Sequence, residues 1–364
     1  RNTGYGRTGG GNLSRRTLMN NTPKVAIVIL NWNGLKHLSQ FLPSIMASEW
    51  GNLDIVVGDN ASSDGSVEFL KSRFPVIRII RNDQNYGFTG GYNRILKQVE
   101  ADYYILLNSD IEVTSNWIKP VIDMMESDER VAAAAPKIKA YYQPTHFEHA
   151  GAAGGFIDSY GYPYCRGRIF YEVEEDKGQY DQSDEVFWAT GAALFIKKRC
   201  WDEAGGFDER FFAHMEEIDL CWRLKNMDYK IMYCAQSVVY HVGGGTLDKE
   251  NPFKTYLNFR NNLLLLKKNL SFSRSVFTIG IRLWLDLLAI FRFMGEGKRK
   301  DAGAVCRAHR NFFRTLFKAD RSGIKVPKAH HSTLKRMYKH NIVWDFFIRK
   351  KRVFSDLGKD DFYR

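Results

Sequence analysis

The chain has 364 residues, 44% hydrophobic and 26% charged, with a net charge of +12. That is enough to bury one large core or two smaller ones, and it excludes a chain disordered throughout. The charge is uneven: 26 of the 53 Lys and Arg, but only 8 of the 41 Asp and Glu, lie from Asn251 onward. A mildly acidic body thus precedes a strongly basic end, which favours an anionic partner such as a membrane surface, a phosphorylated lipid or a nucleic acid.

Residues 1–23 are glycine-rich and lack an apolar run of the signal-peptide kind. They read as a leader or appended segment, disordered and separate from the fold, with Met19 as a natural start. The five cysteines are odd in number, widely spaced and form no C-x-x-C pair, which points to neither a disulfide framework nor a zinc site and suits a reducing cytoplasm. The nearest approach to a membrane-spanning segment, Ser275 to Met294, contains Arg282, Asp286 and Arg292.

In chain order, Val25–Leu30 is a continuous β-branched apolar run, predicted as a strand buried on both faces. A helical pattern follows to about Ala47. Leu53–Gly58 is a second strand, Ser66–Arg73 a helix and Val76–Ile80 a third strand. The glycine loop Gly87–Gly91 leads into a helix through Val99, and Tyr103–Leu107 is a fourth strand. Strands alternating with helices predict an α/β fold, whose ligands bind at the carboxyl ends of the strands. Those ends carry Asn31, Asn33, Asp59 and Asp110. Pro144 to Tyr180 reads as a long loop, Val186 to Lys197 as a strand, Phe207 to Leu224 as an acidic helical cluster and Tyr229 to Tyr240 as further strand. From Asn251 to the end, helices mix apolar and basic residues. The expected division is therefore 1–23, an α/β domain over 24–250, and a basic amphipathic helical region over 251–364.

Asp110, just past a buried strand, is placed to share a divalent cation with substrate phosphate, or simply to cap the next turn. Asp59 is placed to accept a bond from a base or ribose, and the residues after it suit a helix N-cap at Ser63 or Asp64. The run Asn85 to Asn93, with Gly87, Gly90 and Gly91, matches neither a Walker loop nor the dinucleotide fingerprint. Asp219 reads as the partner of Arg223 one helical turn on. Glu216 and Glu217 follow an aromatic run, where partial burial would raise their pKa toward that of a useful base. His241 ends a strand before a glycine run and reads as a structural residue or a ligand.

Taken together, these segments closely resemble the family 2 glycosyltransferases of the GT-A fold, especially bacterial rhamnosyltransferase-like members. The resemblance rests on Val-Ala-Ile-Val-Ile-Leu-Asn-Trp-Asn-Gly, Asp-Asn-Ala-Ser-Ser-Asp-Gly-Ser, Asn-x-Gly-Phe-x-Gly-Gly-x-Asn, Leu-Asn-Ser-Asp, Thr-Gly-Ala-Ala-Leu-Phe-Ile, Gly-Gly-Phe-Asp-Glu-Arg-Phe-Phe and His-Val-Gly-Gly-Gly-Thr, in that order from Lys24 to Thr246. It implies a Rossmann-like mixed sheet flanked by helices, with the basic helical extension appended. It implies that Asp59 recognises the nucleotide, together with Asn31, Asn33, Asn85, Gly87, Gly90, Gly91, Asn93, Asn108 and Ser109. Asp110 takes the last position of the family's D-x-D-type metal motif, with Asn108 in place of the first Asp. His241 becomes a further ligand of a Mg or Mn ion or a diphosphate contact, and the Gly191 region lines the acceptor side. The family's Glu-Asp catalytic pair falls on Glu216 and Glu217, with Glu217 as base and Glu216 as the alternative.

The implied activity is inverting transfer of a sugar, rhamnose by resemblance, from a dTDP-, UDP- or GDP-linked donor to a glycan or lipid-linked acceptor in cell-surface polysaccharide synthesis. A nucleotidyltransferase is the enzymatic rival. A non-catalytic nucleic-acid-binding protein is the rival from composition, and the acidic body speaks against it. The basic end fits docking on the inner face of the bacterial cell membrane; a helical cover over the core or a homodimer interface is the alternative.

Overall fold

The computed structural model describes residues 22–243, 251–316, 323–324, 328 and 333–364. Residues 1–21 of the segment expected as a leader, and residues 244–250, lie outside the described residues.

Fourteen strands and ten α-helices follow one another along the described chain. β1 (Val25–Asn31), α1 (Leu35–Met46), β2 (Leu53–Asp59), α2 (Ser66–Arg73), β3 (Arg78–Arg81), α3 (Gly87–Leu96) and β4 (Tyr103–Leu107) form the expected alternation. Next come β5 (Ile111–Val113), α4 (Ile118–Ser127), β6 (Val131–Ala140), β7 (Gly155–Asp158), β8 (Pro163–Cys165), β9 (Arg168–Ile169) and β10 (Glu172–Val173). Then β11 (Asp184–Val186), β12 (Ala193–Lys197), α5 (Lys198–Ala204), α6 (Glu216–Asn226), β13 (Lys230–His241), α7 (Pro252–Asn269), α8 (Phe272–Gly295), α9 (Arg299–Leu316), β14 (Met337–Tyr338) and α10 (Ile342–Phe347) complete it.

The main sheet has the order β11-β13-β6-β12-β4-β1-β2-β3, with β5 alongside β13. β4, β1, β2 and β3 run parallel, whereas β12 is antiparallel to both β4 and β6. The sheet is therefore mixed, with helices over it. β1 shows why its sequence is continuously apolar. Ala26 and Val28 pack into one core and Val25, Ile27 and Ile29 into the other, so both faces of the strand are dry.

The stretch expected as a long loop instead carries a second sheet, β10-β9-β8-β7-β14. Its last strand comes from the far C-terminal region, Met337 pairing in parallel with Ile157. Phe156 packs on Phe354 and Phe362, with ring centroids 4.8 and 5.5 Å apart. Asp158 accepts bonds from the backbone N–H groups of Tyr160, Tyr162 and Ile342, yet its complete burial still pushes its pKa up to about 6. The expected third strand starts two residues later, at Arg78, and the run from Val186 to Lys197 is split between β11 and β12. The expected cap of α2 at Ser63 or Asp64 is also corrected. The N-cap is Gly65, left-handed at φ 83°, and Asp64 instead accepts from Leu35 N at 2.8 Å and Ser66 N at 3.1 Å, joining the starts of α1 and α2.

Among the described residues no helix is long and apolar enough to cross a membrane.

Candidate functional site

The carboxyl ends of β1 and β2 are neighbours, since Asn31 pairs with Asp59 in register. Asn31 Nδ2 donates to Asp59 Oδ1 at 3.3 Å and to Ser62 Oγ at 3.0 Å. Asn33 adopts a left-handed φ of 52°, which turns its side chain back so that Oδ1 accepts from Ser63 N at 2.8 Å. Asp59 is fully buried, accepts from Ser62 N and lies 3.4 Å from Arg81 Nε. Asn31 Oδ1 is buried with no partner among the described residues, an acceptor left open at this edge.

Asn60 joins this edge to the glycine loop. Its Nδ2 donates to Asn85 Oδ1 at 2.8 Å and to Gly87 O at 3.0 Å, and its Oδ1 accepts from Asn82 and from Tyr86 N. Sequence reading passed over Asn60 although it follows Asp59 directly. Within the chain these glycines allow close packing of neighbouring side chains. A Cβ on Gly91 would sit 2.9 Å from Leu30 and 3.1 Å from Asn60 Nδ2, and one on Gly87 would sit 2.5 Å from the Phe212 ring. At Gly90 the nearest atoms belong to Arg94 and Tyr86, at 3.0 Å. Asn93 is engaged elsewhere: it donates to Phe207 O and accepts from Phe207 N, fixing the loop before α6.

Past β4, Asn108 N donates to Ala192 O at 2.9 Å, and the Ser109 hydroxyl faces Gly34 after β1. Asp110 Oδ1 lies 3.2 Å from His241 Nε2, and His241 Nδ1 lies 3.0 Å from Glu148 Oε2, all three residues being buried. Burial alone would depress the imidazole pKa. The two carboxylates override it and raise the pKa to about 10, while their own are held low by the same contacts. Glu148 escaped sequence reading because it sits 93 residues from His241 in the supposed loop.

The second carboxylate pair begins α6. Phe212, His214 and Met215 all have positive φ, between 65° and 72°, in one short loop, a strained path for residues with a Cβ. α7 holds this loop. Asn261 Nδ2 reaches the carbonyls of Phe211, Ala213 and His214 at 2.8–2.9 Å, and Arg260 Nη2 reaches those of Arg210 and Phe211. Glu216 is buried and Glu217 partly so, and one oxygen of each lacks a partner among the described residues. Burial raises both pKa values, and the neighbouring Glu217 charge adds to the rise at Glu216; Glu217 is pushed up to about 7. The Gly191 N–H faces the Glu217 carboxylate, and a Cβ on Gly191 would lie 3.7 Å from Glu217 Cβ. Asp219, expected to pair with Arg223, does so at 2.8 Å and also receives Lys268 and Asn269.

Two groupings therefore come together. Asn31, Asn33 and Asp59 share one network, with Ser109 beside Gly34; Glu217, Gly191, Phe88, Gly87 and Phe212 form a contiguous wall. No cluster of three or more His, Cys, Asp or Glu that could hold a metal ion occurs among the described residues. Two donors, Asp110 and His241, do converge, and Glu148 orients the imidazole as carboxylates commonly do beside metal-bound histidines. That set suits an ion completed by substrate phosphate oxygens.

Residues 26–191 match the model of the glycosyl transferase family 2. The N-acetylglucosaminyl-diphospho-decaprenol L-rhamnosyltransferase of Mycobacterium tuberculosis (strain H37Rv) is 23% identical over 235 residues, covering 60% of this chain and 76% of its own. The low-salt glycan biosynthesis hexosyltransferase Agl10 of Haloferax volcanii is 24% identical over 262 residues, covering 69% and 78%. In fold, the chain is similar to the crystal structure of GalNAc-T7 with UDP, GalNAc and Mn2+, with a TM-score of 0.54, 16% identity, and coverage of 70% of this chain and 49% of that one. The mixed sheet and the polar strand ends agree with that match over the same residues, and residues 26–191, a little under half of the chain, are similar to the family 2 glycosyltransferases.

Proposed function

We propose that the chain transfers a sugar, rhamnose or another hexose, from a nucleoside-diphosphate donor to a hydroxyl of a lipid-diphosphate-linked glycan, inverting the anomeric centre. The observation that carries this reading is Glu217: partly exposed, with a pKa raised to about 7, and beside Gly191 in the same wall as the glycine loop. A base poised near neutral pH removes the acceptor proton as the oxygen attacks the anomeric carbon. Glu217 rather than the fully enclosed Glu216 is the base. Asp59, with Asn31 and Asn33, receives the base and ribose, and Asn108, Ser109 and Asp110 face the diphosphate. Asp110 and His241 would hold a Mg or Mn ion, which neutralises charge on the departing diphosphate when bound. The rhamnosyltransferase and hexosyltransferase relatives support the sugar class and the lipid-linked acceptor.

We further propose that residues 24–250 form the catalytic body and that the helices from Pro252 dock on the cytoplasmic face of the membrane. α8 supports this, because its polarity is inside out. Ser275, Thr278, Arg282 and Asp286 are buried, while Val276, Phe277, Trp284, Leu287, Leu288, Phe291 and Met294 are exposed. Exposed Arg292, Lys298, Arg299 and Lys300 lie at its end, complementary to anionic headgroups.

The test is incubation with a panel of dTDP-, UDP- and GDP-linked sugars and a polyprenyl-diphosphate glycan. Release of nucleoside diphosphate with formation of an inverted linkage is expected. Release of pyrophosphate from a nucleoside triphosphate instead would turn the reading to nucleotidyl transfer.

A further inference from the structure

We infer that the groove between α7 and α9 is a subsite for a diphosphate group, the linker of the lipid-linked acceptor. The inference rests on the proposed function for the identity of that acceptor, and on the groove itself for the chemistry.

A pocket of about 300 Å³ is lined by Phe253 and Tyr256 of α7 and by Arg307, Arg310, Asn311 and Arg314 of α9. The four α9 residues follow the i, i+3, i+4, i+7 spacing, so they form one stripe along a single helix face. Among the described residues no carboxylate pairs with any of the three guanidiniums, although arginines elsewhere, such as Arg94, Arg223 and Arg292, are paired. Like charges one helical turn apart repel and stabilise nothing by themselves. They become favourable when an anion is placed among them. A guanidinium fork matches phosphate oxygens two at a time, and Asn311 adds an amide donor. The volume, at the small end of the ligand-site range, suits a compact group rather than a length of nucleic acid.

The groove is also joined to the catalytic wall. The Phe253 ring lies 6.2 Å from Phe212, whose side chain covers Gly87 and whose carbonyl accepts from Phe88 N. Arg260 stacks on Tyr256 and holds the carbonyls of Arg210 and Phe211, in the loop that leads to Glu216 and Glu217. A diphosphate held in this groove would therefore be bound by the same helices that support the loop carrying the base. α8, with its exposed apolar face, packs on both α7 and α9, which puts an apolar surface beside the headgroup site for the lipid chain.

The test is calorimetric titration of inorganic pyrophosphate in EDTA buffer, on the full chain and on two variants. Arg307→Gln/Arg310→Gln/Arg314→Gln should weaken binding at least tenfold, while Asp110→Ala should leave it within twofold. All three arginines are exposed, so the fold does not depend on them. Unchanged binding in the triple variant, or loss only in Asp110→Ala, would overturn the inference. A second arm compares neutral phosphatidylcholine vesicles carrying polyprenyl diphosphate with vesicles of equal charge carrying phosphatidylglycerol. The triple variant should lose retention on the former selectively; equal loss on both would make the stripe a general contact with charged surfaces and refute a diphosphate site. Titration with a nucleotide sugar and Mn2+ tests the proposed function separately. It should be the same in the triple variant as in the wild type. A wild-type chain that bound no nucleotide sugar would sink the proposed function and leave the groove to be decided by pyrophosphate alone.

Discussion

At the N-terminus of α6, two neighbouring carboxylates experience opposing influences. The helix dipole favours their ionised forms, whereas burial disfavours them, with the Glu217 charge adding to this at Glu216, and burial prevails. A base acts deprotonated, so kcat should rise with pH through about 7. Glu217→Gln should lower kcat by roughly 10²–10⁴-fold and leave the KM for the nucleotide sugar unchanged, as read from steady-state kinetics. Stability should respond with the opposite sign. A carboxyl whose folded pKa is raised contributes most below its ordinary value near 4.5 and loses that contribution as pH climbs through about 7. The wild-type Tm should therefore fall between pH 5 and pH 8, and fall less in Glu217→Gln. Across the site, Glu148 serves both His241 Nδ1 and the backbone N–H of Ala150, the latter at 2.6 Å. Glu148→Ala would strand both donors in a buried place and should cost about 2–4 kcal/mol in urea unfolding, with Glu148→Gln costing less because an acceptor remains.

Elements differ in how much of them can be read from sequence, and the difference has a physical cause. β1, β2 and β4 announce themselves because a strand buried on both faces must be apolar at every position. β7 to β10 are two to four residues long and interrupted by glycine and tyrosine, too short for any period to register. Their sheet is completed by β14, some 180 residues on, which no local pattern can announce. The same holds for the site. The strand-end Asn31, Asp59 and Asp110 were legible from their position after apolar runs. The Glu148–His241 contact and the grip of Arg260 and Asn261 on the α6 loop arise only from folding. That grip leads to a prediction at the level of the element. Phe212, His214 and Met215 adopt strained left-handed conformations, and Asn261 binds three carbonyls of this segment. Asn261→Ala should destabilise the fold by about 1–3 kcal/mol, the cost of leaving buried acceptors unsatisfied. It should also lower kcat, because the loop positions Glu217. A variant with reduced Tm and unaltered kcat would show that the loop keeps its shape without α7.

Across the whole molecule, charge and polarity are arranged along the chain in the same sense. The body up to Glu250 is slightly acidic, and the part from Asn251 is strongly basic. α8 turns its polar face inward, where Arg282 lies 3.6 Å from Asp286 and His309 2.8 Å from the same carboxylate, and its apolar face outward. A helix that only covered the core would have the reverse polarity, since burying Arg and Asp while exposing Trp and Phe costs free energy on both counts. The arrangement is favourable if the outer face meets an apolar phase. Lys and Arg near an anionic bilayer each contribute about 1 kcal/mol, screened over roughly 8–10 Å at physiological salt. Trp284 and Phe291, 70% and 64% exposed, would supply the apolar part. Co-sedimentation with phosphatidylglycerol vesicles should therefore be strong at low salt and weaken, without vanishing, at high salt. Trp284→Ser/Phe291→Ser should reduce it at least tenfold at every salt concentration, because full burial of such side chains is worth about 1.5–3 kcal/mol each. Turnover on a soluble acceptor analogue should be unaffected. If vesicles are ignored by the wild-type chain and the double variant instead converts a dimer to a monomer in solution, the outward face of α8 meets a second copy of the chain and not a lipid surface.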